Sequence, residues 1–334
     1  MQLSVICPLF FFMQGSFQTY SQRIDSVRIH YAQSITPERL RQQLSVIASD
    51  EFEGRETGEN GQKRAAEYIS KQFKINGIKP GMGDSTFFQH FPVENKLPAA
   101  NSENILAYLE GTDKKEELIL ITAHYDHLGI KSGFIYNGAD DDGSGTAAVI
   151  ELAEAFSMAS KEGFGPRRSI LFMLFSGEEN GLQGSKYYTD NPVFPLATTM
   201  VDLNIDMIGR VDARHKDSIN YIYIIGSDKL SSGLHRVNEA SNNQYSKLKL
   251  DYSFNDAKDP NRFYFRSDQY NFAKHDIPVI FYFNGTHEDY HKPSDKVNKI
   301  DFILLSKRAK LIFYTAWELA NRNEKIIVDI TNNH

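Results

Sequence analysis

Several β-type segments of this chain are apolar along their whole length, where a strand with one wet face would alternate. Leu118-Ile119-Leu120-Ile121-Thr122-Ala123, Ile170-Leu171-Phe172-Met173-Leu174-Phe175 and Val279-Ile280-Phe281-Tyr282-Phe283 are the plainest cases. Such strands are covered on both faces, as happens when helices flank a mostly parallel sheet. Further β-type runs at 87–93, 104–109, 200–205 and 221–225 alternate with helical patterns at 146–156, 230–241, 269–274 and 302–321. The order predicts an α/β fold of three layers, αβα, around a central mixed, mostly parallel sheet. Ahead of it, Thr36 and Pro37 open a helix continued by Leu40, Leu44 and Ile47, and Ala65, Ala66, Ile69 and Phe73 mark a second that stops at Asn76-Gly77. With 334 residues, 41% of them hydrophobic, the chain can fill one large core of this kind.

In an open α/β sheet, ligands bind beyond the carboxyl ends of the strands. The run at 118–123 ends in His124-Tyr125-Asp126, and residues two apart on a strand face the same way. The run at 169–175 leads into Ser176-Gly177-Glu178-Glu179, that at 200–205 into Asp206, and that at 278–283 into a loop carrying His287 and His291. A Gly-rich turn, Gly138-Ala139-Asp140-Asp141-Asp142-Gly143-Ser144-Gly145, can join them. One carboxylate at a strand end is an ordinary cap or turn residue. Several packed together repel one another unless they are protonated or bind cations. Two histidines and three carboxylates with no thiolate suit a pair of Zn²⁺ ions, with Co²⁺ or Mn²⁺ as substitutes. Of the adjacent Glu178 and Glu179, one would then bind metal and the other take a proton from the attacking water.

His124-Tyr125-Asp126-His127, the Gly138–Gly145 turn, Gly177-Glu178-Glu179, Asp206-Met207 and Tyr290-His291-Lys292-Pro293-Ser294-Asp295 together resemble the co-catalytic zinc aminopeptidases. That clan also holds glutamate carboxypeptidase and the glutaminyl cyclases. The blocks keep register from about residue 101 onward, and residues 50–55 and 58–69 are similar to family members as well. The resemblance implies a phosphorylase/hydrolase-like zinc peptidase fold with two zinc ions per chain, acting on peptides with a free N-terminus. It implies that His124 and Asp206 bind one ion, Glu179 and His291 the other, and that Asp141 bridges them through a turn whose Asp141–Asp142 peptide is cis. Glu178 would be the general base, and Asp126 would hydrogen-bond the far nitrogen of His124 and orient its ring. Met207, Asp268, His287 and Tyr290 become candidate substrate contacts, although Gln269 follows Asp268 where the family often has His. Asp140 reads as a turn-shaping residue, His127 as a weaker site candidate, and His90, His215, His235 and His275 as surface or packing residues. Two rivals stand beside the aminopeptidase: a glutaminyl cyclase on the same fold and a catalytically inactive binding homologue. Family cyclases tend to place Trp before the last metal histidine, where this chain has Tyr290, and no ligand is missing as it would be in the inactive kind.

Met1 to Met13 form an apolar run, too short to span a bilayer, that fits a secretory leader over residues 1–21 and predicts a periplasmic or secreted protein. A single zinc peptidase domain over 22–334 is expected to follow: a helical segment and first strand to residue 100, then the metal-binding core from 101 to 334. The stretch from 87 to 124 is too short for an inserted protease-associated domain. Cys7, the only cysteine, falls in the leader, which excludes disulfides, thiolate zinc and thiol catalysis from the mature chain. The formal charge of −6 with no basic patch argues against nucleic acid as a partner, and nothing beyond the leader suggests stable membrane insertion.

Overall fold

The computed structural model describes residues 25–83 and 85–331, so the leader and Cys7 lie outside the described residues. Helical turns at 25–32 (α1) precede α2 (Pro37–Ile47) and α3 (Asn60–Ile75). The strands are β1 (Lys79–Pro80), β2 (Phe88–Pro92), β3 (Asn101–Leu109), β4 (Lys114–His124), β5 (Gly129–Lys131) and β6 (Phe134–Tyr136). Next come α4 (Gly143–Lys161), β7 (Arg168–Phe175), α5 (Gln183–Asp190), β8 (Thr199–Ile205), β9 (Tyr221–Ile225) and α6 (Ser232–Ser241). β10 (Lys249–Asp251), α7 (Gln269–Ala273), β11 (Val279–Phe283) and α8 (Phe302–Asn321) complete the chain.

Nine strands form one sheet in the order β1-β3-β7-β4-β8-β11-β9-β10, with β2 also on β3. Its centre, β7-β4-β8-β11, is parallel, whereas β3 joins β7 and β9 joins β11 in antiparallel fashion. The unbroken apolar runs are explained by the two faces. Ile119, Ile121 and Ala123 of β4 and Ile170, Phe172 and Leu174 of β7 enter a core shared with α2, α3, α4 and α8. Their neighbours Leu118, Leu120, Leu171, Met173 and Phe175 enter a second core on the opposite face with Tyr188 of α5 and Phe272 of α7. Each strand thus buries both sets of side chains, at about 1.5–3 kcal/mol for each large one. Helices on both faces of a mixed sheet are the architecture expected from the sequence.

The cap of α2 also follows the sequence: Thr36 accepts from the Arg39 N–H at 3.2 Å, and Pro37 sits at the first helical position. Differences lie in short elements. β1, β5, β6 and β10 span two or three residues, too few to show a period, and α5 is only eight residues long. The segment before residue 101 therefore supplies two strands to the sheet rather than one. Among the described residues no helix is long and apolar enough to cross a membrane.

Candidate metal centre

The carboxyl end of β4 delivers His124, the turn after β7 delivers Glu178 and Glu179, the end of β8 delivers Asp206, and the loop after β11 delivers His291. The turn before α4 adds Asp141. His124 Nε2 lies 3.3 Å from Asp141 Oδ1, 3.6 Å from Asp206 Oδ1 and 4.0 Å from Glu178 Oε2. His291 Nε2 lies 3.0 Å from Asp141 Oδ2 and 3.2 Å from Glu179 Oε2. Asp141 therefore turns one oxygen to each histidine. Yet His124 Nε2, Asp141 Oδ2 and Glu179 Oε1 are buried with no hydrogen-bond partner. Buried polar atoms are nearly always hydrogen-bonded, so donors that crowd together without bonding one another are best satisfied by cations between them. Oxygen and nitrogen donors of this kind fit divalent ions of the zinc type, and they fall into groups that could each hold one.

The triple Asp divides its work. Asp142 caps α4, accepting from the Gly145 N–H at 2.9 Å, and accepts from the Met207 N–H at 2.9 Å, which ties the turn to the end of β8. A Cβ on Gly145 would stand 2.4 Å from Asp142 Oδ2 and 2.6 Å from the Ile205 carbonyl oxygen, so the close approach admits only glycine. Asp140 accepts from the Gly209 N–H at 2.7 Å and meets His287 Nε2 at 3.1 Å. Asp295 Oδ2 accepts from the N–H groups of Asp140 and Asp141 at 2.9 and 3.2 Å. The Asp141–Asp142 peptide is cis. Met207 and His291 both have positive φ, 60° and 54°, a conformation costing non-glycine residues about 1–2 kcal/mol each.

Asp126 sits behind His124, but the contact differs from the expected one. His124 Nδ1 meets the Asp126 backbone carbonyl at 3.2 Å and its carboxylate only at 3.6 Å. The carboxylate is turned to Thr57, whose hydroxyl donates at 2.8 Å, and to the Glu178 N–H at 3.3 Å. It braces the Glu178 turn as much as the imidazole. His287 and Asp268, candidate substrate contacts, do not reach the cleft. His287 is held under the turn by Asp140, and Asp268 is fully buried beside Asp206 and Asp126, its carboxyl pushed up to about 7 by burial and those charges.

Two residues gain importance in the structure. Arg55, fully buried, donates to the carbonyls of Ile47, Tyr125, Asn137 and Gly138 at 2.7–2.9 Å. It staples the N-terminal segment to the two turns that carry His124 and Asp141. Burial draws it down to about 10, opposed by Asp126, Asp142, Asp141 and Asp295. His127 is 1% exposed, with Nδ1 2.7 Å from Glu179 Oε1. Its position beside His124 and Asp126 in sequence was the only signal for it.

Electrostatics separate the two glutamates. Burial, with Glu179, Asp206 and Asp268 nearby, raises the Glu178 carboxyl well above its ordinary range. Glu179 is driven up by burial and Asp141, but His127 and His291 outweigh them and bring it to about 2. One adjacent carboxylate is thus the better proton acceptor and the other the better permanent anion.

The candidate metal donors open onto a cleft walled by Met207, Phe263, Phe281, Phe283 and Tyr290. Tyr290 stacks on His291 with ring centroids 3.9 Å apart. Its hydroxyl accepts from exposed Arg266 at 3.3 Å, the one arginine or lysine among the cleft's lining residues.

The family model for peptidase family M28 matches residues 104–316. Leupeptin-inactivating enzyme 1 of Streptomyces exfoliatus is 28% identical over 298 residues, covering 83% of this chain and 60% of that protein. The chain thus spans less than two thirds of the length of this curated relative. The solved zinc aminopeptidase BSAP from Bacillus subtilis superposes with a TM-score of 0.69 at 15% identity, covering 89% of this chain and 99% of that one. Porphyromonas gingivalis glutaminyl cyclase does so with a TM-score of 0.68 at 16% identity, covering 84% and 97%. At these identities the two structures establish a shared fold.

Proposed function

The chain belongs to peptidase family M28, and from that premise we propose that it is a dinuclear zinc aminopeptidase releasing N-terminal residues from peptides. The observation that carries the reading is the convergence of histidine and carboxylate donors from four strand ends on the Asp141 turn, with buried atoms of His124, Asp141 and Glu179 left unbonded and Asp141 offering one oxygen to each side. His124, Asp206 and Asp141 would hold one ion, and Glu179, His291 and Asp141 the other. Two zinc ions bound there would polarise the scissile carbonyl and make a shared water acidic enough to lose its proton near neutral pH.

The chain's own residues do the rest. Glu178, whose raised pKa suits proton transfer, takes the proton of the attacking water and passes it to the leaving amine. Asp126 fixes the Glu178 turn through its backbone N–H and backs His124. The apolar wall of Met207, Phe263, Phe281 and Phe283 receives the first side chain and keeps water from it. The apolar run at 1–13 supports export of the protein.

The shared fold with a glutaminyl cyclase supports a second reading, to which Tyr290 in place of a tryptophan is unfavourable. A panel of aminoacyl chromogenic substrates, with and without chelator, together with an N-terminal Gln peptide, tests both. The proposal expects chelator-sensitive release of the first residue. Ammonia release from the Gln peptide with no amino-acid release would establish the cyclase instead.

A further inference from the structure

The centre contains one more imidazole than the five donors assigned above. His127 Nδ1 is 2.7 Å from Glu179 Oε1 and 3.8 Å from Asp141 Oδ2, and its ring meets that of His291 edge-on at 5.8 Å. At 2.7 Å an N–H pointing at Glu179 would make a strong hydrogen bond, yet neither ring nitrogen of His127 has a hydrogen-bond partner. The two atoms are near each other without facing each other. Two donors aimed at one cation stand in this relation: on a tetrahedral zinc, donors about 2.0–2.1 Å from the metal lie roughly 3.3 Å apart. The separations of His127 and His291 from Glu179 and Asp141 run from 2.7 to 3.8 Å around that value.

We propose that His127 is a metal ligand, so that the ion on the Glu179 side has four protein donors: His127, His291, Glu179 and Asp141 Oδ2. The ion on the other side has three, His124, Asp206 and Asp141 Oδ1, with Glu178 beside its open position. Four protein donors already complete a tetrahedral set, so the shared water would be a fifth ligand there, whereas it would complete a set of four on the other ion. The two positions are therefore unequal. The His127 position fills first and empties last, and the His124 position is the exchangeable one. This inference rests on the dinuclear reading above.

The test is zinc titration of the metal-free full chain against a chromogenic chelator, for the unaltered protein, His127→Ala and His127→Gln. The cobalt absorption spectrum of the first equivalent is read alongside. The unaltered protein should bind two ions, the first more tightly. Both variants should lose more than the 10–100-fold in first-site affinity typical of a residue that only steadies a ligand, and the first-equivalent spectrum should change. The second site should keep its affinity. Glutamine retains an amide donor toward Glu179, so a His127→Gln protein with unaltered first-site affinity and spectrum would show His127 to be a prop and overturn the inference. It also decides the matter if His127→Ala does not fold. An unaltered protein that binds no zinc would overturn both this inference and the reading beneath it.

Discussion

Single residues carry the chemistry, and the adjacent glutamates show how sharply neighbours divide. Glu178→Gln keeps shape and removes the proposed base, so turnover should fall roughly 10²–10⁴-fold while metal content stays near that of the unaltered protein. Glu179→Ala removes a donor, so metal content and activity should fall together; metal analysis beside an activity assay separates the two. A Glu178→Gln enzyme that kept its turnover would remove Glu178 from the mechanism. The residues proposed as donors can be picked from the sequence because they follow strand ends or shape a Gly-rich turn. His127 is less legible: a histidine one residue past Asp126 has no periodicity to place it, and only folding brings it to Glu179. Sequence spacing places Asp126 behind His124 but does not say which of its oxygens meets the ring, and it is the backbone carbonyl that comes nearer than the carboxylate.

At the scale of elements, the start of α4 sets the geometry of Asp141. Gly145→Ala puts a methyl group against the Asp142 carboxylate and the Ile205 carbonyl. It should cost about 1–3 kcal/mol, read as a lower denaturation midpoint, and loosen metal binding as the turn shifts. An alanine variant with unchanged midpoint and metal affinity would mean the turn can yield. The cleft is an element-level product too: β11 supplies Phe281 and Phe283, and the turn at 263–265 supplies Phe263. Apolar walls cannot solvate an ammonium group, and Arg266 at the mouth repels it. Leucyl substrates should therefore exceed lysyl ones in kcat/KM by roughly tenfold or more; equal rates would place the first side chain elsewhere. Long strands and helices were legible because burial on both faces leaves a composition signal. The exposed hairpin of β5 and β6, which separates His127 from Asp141, leaves none.

For the whole molecule, the centre links metal, protons and stability. In the metal-free protein His291 is raised from 6.5 to about 10, because Asp141 and Glu179 outweigh the opposing effect of burial. Its contribution to stability is fully present below about 6.5 and is lost as pH rises through about 10. Glu179, lowered from 4.5 to about 2, contributes above 4.5 and is lost as pH falls through 2. The thermal midpoint of the metal-free protein should accordingly decline from pH 6.5 to pH 10. Zinc bound as proposed would displace the His291 proton, so the loaded protein should lack that slope. A flat profile in the metal-free protein would mean that His291 is not paired as described. The central claim, two metal ions serving one N-terminal hydrolysis, is tested most directly by adding zinc stepwise to the chelator-stripped chain. Bound metal and amino-acid release from one peptide, free or acetylated at its N-terminus, are followed together. The account predicts saturation at two equivalents, with release rising alongside and confined to the free peptide. Release that persists in stripped protein, or that proceeds equally on the acetylated peptide, would contradict it.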